Sequence, residues 1–147
     1  MTAPYSRIAC FIDRDPASDV VLAEAVSVRA LSPGELHVVH VTSPPWALYA
    51  GAYGVTVPIV ELEEEAKRWL EERLAELPDA IGHVLGGWAP RTACEFAAAN
   101  DIDLVVAAAH RGFVQRAMLG GFASYVSYRA PCAVLLVHPA EPRAHED

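Results

Sequence analysis

Two short, wholly apolar runs, Leu104–Ala108 (LVVAA) and Ala133–Val137 (AVLLV), constrain this chain more than any other feature. No polar residue alternates within either, so each reads as a strand covered on both faces. Between them the apolar pattern breaks at His110-Arg111-Gly112 and again at Gly120-Gly121. A helix fits 122–129, with Phe122, Val126 and Arg129 on one side at spacings of four and three. Ala130-Pro131 ends it, because a residue before proline avoids the helical region. Two buried strands joined by a helix make a parallel crossover. The loop that follows the first strand then lies at the carboxyl end of the sheet, where open α/β proteins hold ligands.

The rest of the chain repeats the alternation. Residues 7–12 (RIACFI) are a first strand, and Asp15 and Pro16 suit the cap and first position of a helix running to about Leu31. Ser32-Pro33-Gly34 is a turn, and 35–41 (ELHVVHV) is a second strand. Residues 42–58 hold three prolines, two glycines, Trp46, Tyr49 and Tyr53, and are too broken for a regular element. Such a loop either folds over the carboxyl end of the sheet or packs its aromatics on the next helix. That helix, 59–77, carries Leu62, Ala66, Trp69, Leu70, Leu74 and Leu77 on one face and a glutamate-rich solvated face opposite. Residues 81–85 read as a weak edge strand, and 91–100 as a short helix with Ala93, Phe96 and Ala97 inward. The order predicts one α/β domain over 1–147, a doubly wound parallel sheet with helices on both faces. Residues 1–6 and 141–147 are expected to be loose tails.

Composition narrows the function. Formal net charge is −8, lysine occurs once at Lys67, and the ten arginines are scattered, so there is no basic stripe for nucleic acid. No apolar run reaches the roughly 18 residues of a membrane span. Residues 1–7 lack the regions of a signal peptide. Cys10, Cys94 and Cys132 are odd in number and far apart, which reads as reduced thiols in a cytoplasmic protein. Cys10 and Cys132, taken as strand residues, read as small buried hydrophobes.

If the sheet reverses its winding between the first and fourth strands, Asp13 and the loop 108–112 flank one crevice, with Val41 on the neighbouring strand. The residues there, and others, resemble the universal stress protein family related to UspA. The similarity covers residue 7 to about 139. It rests on Ile12-Asp13, His37-Val38-Val39-His40-Val41, Asp103-Leu104-Val105-Val106, Leu119-Gly120 and, most specifically, Ala130-Pro131-Cys132-Ala133-Val134-Leu135-Leu136-Val137. The resemblance implies a five-stranded sheet of order 3-2-1-4-5. It also implies a homodimer paired through Ala133, Val134, Leu135, Leu136 and Val137 and, in one subgroup, an ATP site.

That subgroup carries glycine, two residues, glycine, nine residues, glycine, then serine or threonine. The glycines let backbone N–H groups approach phosphates and the hydroxyl adds a donor. Anchoring the last glycine on Gly120 places Ala107 and His110 at the first two glycines and Gly121 at the hydroxyl. Anchoring on Gly121 places Ala108, Arg111 and Phe122 there, and anchoring on Gly112 fails as well. Asp13 and Val41 match the adenosine-contacting positions, although an Asp after a strand also caps turns and a Val ending a strand is commonly core. Arg111 and Arg116 offer positive charge, and Gly121 leaves N–H groups open at a helix start. The candidate nucleotide residues are therefore Asp13, Val41, His110, Arg111, Gly112, Gly120 and Gly121.

No catalytic constellation emerges. His37 and His40, three apart on a strand, point to opposite faces and cannot chelate one metal. His110 and His40 are the histidines at the ligand end, and a general-base role there needs a positioned substrate. His138 falls near the implied dimer seam. The expected function is a non-catalytic, dimeric stress-response or interaction protein with a degenerate nucleotide site. The alternative is a module that binds ATP, ADP or AMP through a modified phosphate loop; slow nucleotide hydrolysis ranks third. No metal or other cofactor is expected.

Overall fold

The computed structural model describes residues 4–42, 59–109 and 121–139. In chain order these form β1 (Arg7–Phe11), α1 (Ala17–Leu31), β2 (Glu35–Thr42), α2 (Ile59–Arg73), β3 (Ile81–Gly86), α3 (Ala89–Ala99), β4 (Leu104–Ala108), α4 (Gly121–Arg129) and β5 (Ala133–Val137). All pairings are parallel and the sheet order is β3-β2-β1-β4-β5, so the winding reverses between β1 and β4 as expected.

β1 is central, and its side chains alternate between two separate cores. Ile8, Cys10 and Ile12 pack with Val21 and Ala25 of α1 and Leu70 of α2. Ala9 and Phe11 pack on the opposite face with Phe96 and Ala97 of α3 and Val126 of α4. Helices on both faces explain why β1, β2 and β4 have no wet side and read as continuous apolar runs. A fully buried Val, Leu or Ile contributes roughly 1.5–3 kcal/mol relative to exposure, and Ile8, Leu36, Val38, Val39, Val105 and Val106 are all fully buried.

Several boundaries differ from the sequence-based expectation. β1 stops at Phe11: its register with β4 ends at Cys10↔Val106 and with β2 at Phe11↔Val39, although Ile12 N–H still donates to Val39 O at 3.0 Å. Asp15 caps α1 as expected, its Oδ1 accepting from Ala17 N at 2.9 Å, while Pro16 already has helical dihedrals. The helix expected over 59–77 ends at Arg73. Leu74 N still donates to Leu70 O, but the next bonds tighten to Ala75 N–Glu72 O and Leu77 N–Leu74 O ahead of Pro78. α3 begins two residues early, at Ala89, because Pro90 sits comfortably in a first turn. Arg129 does not share the inward face of α4. Phe122 and Val126 do, while Arg129 is exposed over the Tyr125 ring. Cys132 precedes β5 rather than lying in it.

Two contacts anchor the start of the chain, which was expected to be loose up to Ser6. Tyr5 N donates to Ser32 Oγ, and Asp103 accepts from Ser6 N, Ser6 Oγ and Arg7 N at 2.8–3.0 Å. A carboxylate taking three donors fixes that segment against the amino end of β4. Gly34 is required here, since a Cβ would stand 2.4 Å from Ser6 O. Gly87, at φ +135°, makes the turn from β3 into α3.

β2 and β3 share one buried polar link. His37, almost fully buried, and His83 place Nδ1 and Nε2 2.9 Å apart, with ring centroids 5.2 Å apart. The centroid gap exceeds the nitrogen gap by about the radii of two imidazole rings. The nitrogens therefore lie on the line between the rings, the geometry of an N–H···N hydrogen bond and not of two ligands converging on a metal. His37 Nε2 is buried without a hydrogen-bond partner, 3.6 Å from Glu35 Oε2. A carboxylate at that side favours the proton on Nε2, leaving His37 Nδ1 to accept from His83 Nε2–H. Burial first, and then His37, push the His83 imidazole below its ordinary value of 6.5. A base with a lowered folded pKa gives stability that is complete above the unfolded value and is lost as pH falls below it. Urea unfolding between about pH 7.5 and about pH 5.5 should therefore show a loss of stability that His83→Gln reduces; an equal loss in both proteins contradicts the assignment.

Candidate functional site

The crevice at the carboxyl end of the sheet exists because two neighbouring strands part company. β1 and β4 are in register from Ile8↔Leu104 to Cys10↔Val106 and no further. Beyond that point Ile12 N donates to Val39 O on the β2 side, while Ala109 N donates to Val137 O on the β5 side. The floor of the gap is aromatic and apolar. Phe11 lies 6.2 Å from Phe96, edge to face, and 6.0 Å from Phe122 of α4.

Asp13 stands on one rim. Its Oδ1 accepts from Asp15 N at 2.8 Å and from the Ser18 hydroxyl at 3.0 Å, while Ser18 Oγ accepts from Asp13 N at 2.8 Å. This closed ring of bonds makes the turn from β1 into α1. The carboxylate thus has a structural duty at the position where the resemblance implies a ligand contact. Ser18, almost fully buried, is the partner the sequence reading missed; a serine five residues beyond an Asp that ends a strand was the available signal. Val41 sits two places past the register pair Phe11↔Val39, level with Asp13, with its half-buried side chain on the α3/α4 face.

The Asp13 turn is also held from outside. Arg14 lies over the Trp69 ring at 5.2 Å and pairs with Glu65 at 3.4 Å, and Arg73 covers the same ring at 5.6 Å. His40 packs on that ring too, at 4.8 Å, and its Nδ1–H donates to Ile12 O at 3.0 Å. His40 is therefore a packing residue that ties β2 to the end of β1. His37 lies on the other face of the sheet, with Phe96, as the strand alternation requires.

Across the gap, Ala107 is wholly buried in β4 and registers with Leu136, and Ala108 registers with Val137. Both alanines that replace the first glycine of the phosphate pattern are thus strand residues. Gly121 opens α4, and a Cβ there would meet nothing within 4 Å. Phe122 turns inward to Phe11. His110, Arg111, Gly112 and Gly120 lie outside the described residues, as do Arg116 and 43–58 of the long loop; Thr42 belongs to β2.

The described residues offer little reactive chemistry. Burial pushes the Cys10 thiol far up, and it also raises Cys94 and Cys132, so none of the three is an activated thiolate. Among the described residues no group of three or more His, Cys, Asp or Glu could hold a metal, and no helix is long and apolar enough to cross a membrane. A separate groove of about 420 Å³ runs under the β3 edge between Leu70, Leu74, Pro78, Gly82 and Val84, away from the crevice.

The hydrogen bonds of Asp13 give a prediction. Asp13→Ala should destabilise the ligand-free protein by about 1–2 kcal/mol in urea unfolding, and Asp13→Asn by less, because Asn keeps the Oδ1 acceptor. Unchanged stability in Asp13→Ala would show that the carboxylate is not needed for the turn.

Comparison with known proteins bears on the same geometry. Solved structures match over nearly the whole chain: hypothetical protein MJ0577 (19% identity, 93% of this chain and 98% of that one, TM-score 0.79) and the universal stress protein UspA from Lactobacillus plantarum (21%, 90% and 97%, TM-score 0.70). A universal stress protein solved in complex with cAMP matches at 21% identity over 95% of this chain and 100% of the other, with a TM-score of 0.63. At these identities the likeness establishes the fold. None of the curated proteins matches in sequence. The model of the universal stress protein family matches residues 4–138, from the anchored amino end through β5, and the chain belongs to that family.

Proposed function

We propose that this universal stress protein works by binding and interaction rather than by catalysis, as a homodimer joined through β5, and that its crevice no longer grips a nucleoside triphosphate. The observation that carries this is the state of β4 and α4 on either side of the gap. Alanines at 107 and 108 stand in the ladder with β5, and Phe122 fills the gap floor against Phe11. Wrapping a triphosphate takes several backbone N–H groups pointing into the gap together with a hydroxyl. Pairing with β5 turns the Ala107 N–H away from the gap, and phenylalanine has no hydroxyl. Three thiols held protonated by burial, and His40 bonded to Ile12 O, support a non-catalytic role. The free cysteines support a reducing, cytoplasmic setting.

The dimer reading is supported by the sheet edge. Among the described residues β5 pairs only with β4, Ala133 is exposed, and Val134, Leu135 and Leu136 are half-buried. A short apolar edge with unpaired backbone groups is a template for another strand. Lysines at Val134 and Leu136, or the milder Ala133→Lys, should give a monomer by light scattering with the circular dichroism spectrum preserved. A folded variant that keeps the dimer mass rules out this seam.

A second reading has one observation in its favour. Gly121 at the start of α4 faces open space, and Asp13 and Val41 sit level with each other across β1 and β2. That leaves room for a single phosphate and an adenosine, and a structural neighbour of the same family was solved with cAMP. Thermal unfolding with ATP, ADP, AMP and cAMP separates the readings. A one-site ligand at about 100 times its dissociation constant adds about 2.7 kcal/mol. The main reading expects no shift at millimolar concentration; a shift with AMP or cAMP alone supports the second, and a shift largest with ATP refutes the depleted site.

A further inference from the structure

The seam between α3 and α4 carries a cation–aromatic stripe that neither the fold nor the crevice requires. Trp88, at the start of α3, meets Tyr125 of α4 at 4.9 Å with planes at 76°. Arg91 lies over Trp88 at 5.7 Å, and Arg129 over Tyr125 at 5.6 Å. Trp88 is 52% exposed and Tyr128, beside Arg129, is 87% exposed. An indole ring left half in water at a helix start contributes little to the core, and clustered exposed aromatics mark interaction surfaces. Tryptophan, tyrosine and arginine are also the residue types that dominate binding hot spots.

The charges specify the partner. Among the described residues, Arg7, Arg14 and Arg73 each pair with a carboxylate, whereas Arg91 and Arg129, like Arg29 and Arg68, pair with none; what sets Arg91 and Arg129 apart is that each lies over a ring of the same seam. Glu95, one turn from Arg91, pairs with neither. A guanidinium laid on a ring is held in place, so it loses less freedom when it takes a carboxylate in its fork. These two unpaired cations stand on a chain of net charge −8. We propose that the stripe docks an acidic protein segment, which brings one carboxylate to each guanidinium and an apolar side chain onto Trp88 and Tyr125.

A nucleic acid carries a charge every few ångströms, and two guanidinium groups on an acidic protein do not offset that repulsion. An anionic membrane takes a cluster of about 4–8 basic residues. Two carboxylates match two guanidiniums.

The test is an amide chemical-shift titration of the full chain with three probes. The first is a short blocked peptide in which glutamates flank leucine, the second its glutamine counterpart, and the third a single-stranded oligothymidine. The glutamate peptide should perturb the Trp88 indole and the amides of 88–95 and 121–129, and bind more weakly as salt rises. The glutamine peptide and the oligothymidine should bind at least about tenfold more weakly. Arg91→Ala with Arg129→Ala, both exposed and checked for an unchanged unfolding midpoint, should weaken the glutamate peptide by a similar factor. Trp88→Ala should do so as well, independently of charge. No perturbation at millimolar glutamate peptide, equal binding of the glutamine peptide, or tighter binding of the oligothymidine overturns the proposal. So does concentration-dependent self-association through 88–95, which would make the occupant a second copy.

Discussion

β1 is hydrogen-bonded on both sides only as far as Cys10, and the parting of its neighbours beyond that residue shapes everything at the carboxyl end of the sheet. Past Cys10, Ile12 follows β2 and Ala109 follows β5. Parallel winding in opposite directions from one central strand forces this gap, because the crossovers leave on opposite faces. The two cores serve the same end. The α1/α2 core and the α3/α4 core clamp β1 from both sides.

The rims of the gap are committed to holding it open. Asp13 and Ser18 exchange hydrogen bonds that turn the chain into α1, and Arg14 is held outside by Trp69 and Glu65. His40 fixes the level of β2 against Ile12. On the facing side Ala107 is locked in the ladder with β5, and Phe122 leans on Phe11. The family's five-stranded sheet is kept, and on our reading Ala107, Ala108 and Phe122 stand where a phosphate would need glycine or a hydroxyl. On our reading this moves the function from the crevice toward the surfaces, to the β5 edge and the Trp88–Tyr125 seam, which no other described strand or helix covers.

Much of this was legible in the amino-acid order. Leu104–Ala108 and Ala133–Val137 were found residue for residue, because a strand covered on both faces leaves an unbroken apolar run. The acidic α2 and the capped start of α1 were equally plain, since helix periodicity and capping are local. Boundaries slipped at element ends: the ladder with β4 stops at Cys10, two residues before Ile12, and the last turn of the helix tightens before Pro78. Spacing alone groups Arg129 with Phe122 and Val126 on one side of the helix, but Arg129 is exposed over the Tyr125 ring. The His37–His83 bond, the Asp13–Ser18 exchange and the stripe at Trp88 were invisible. The first and last depend on strand register or on two helices lying side by side, and no single window of sequence contains both partners; the Asp13–Ser18 exchange is local, but its five-residue spacing has no fixed sequence signature.

The central claim is that the gap between β1 and β4 is structurally intact but unable to wrap a triphosphate. A crystal structure grown with ATP and Mg²⁺ tests it most directly. The account predicts no ordered triphosphate between β4 and α4. Three phosphates bound by main-chain amides between Ala107 and Phe122 would contradict it.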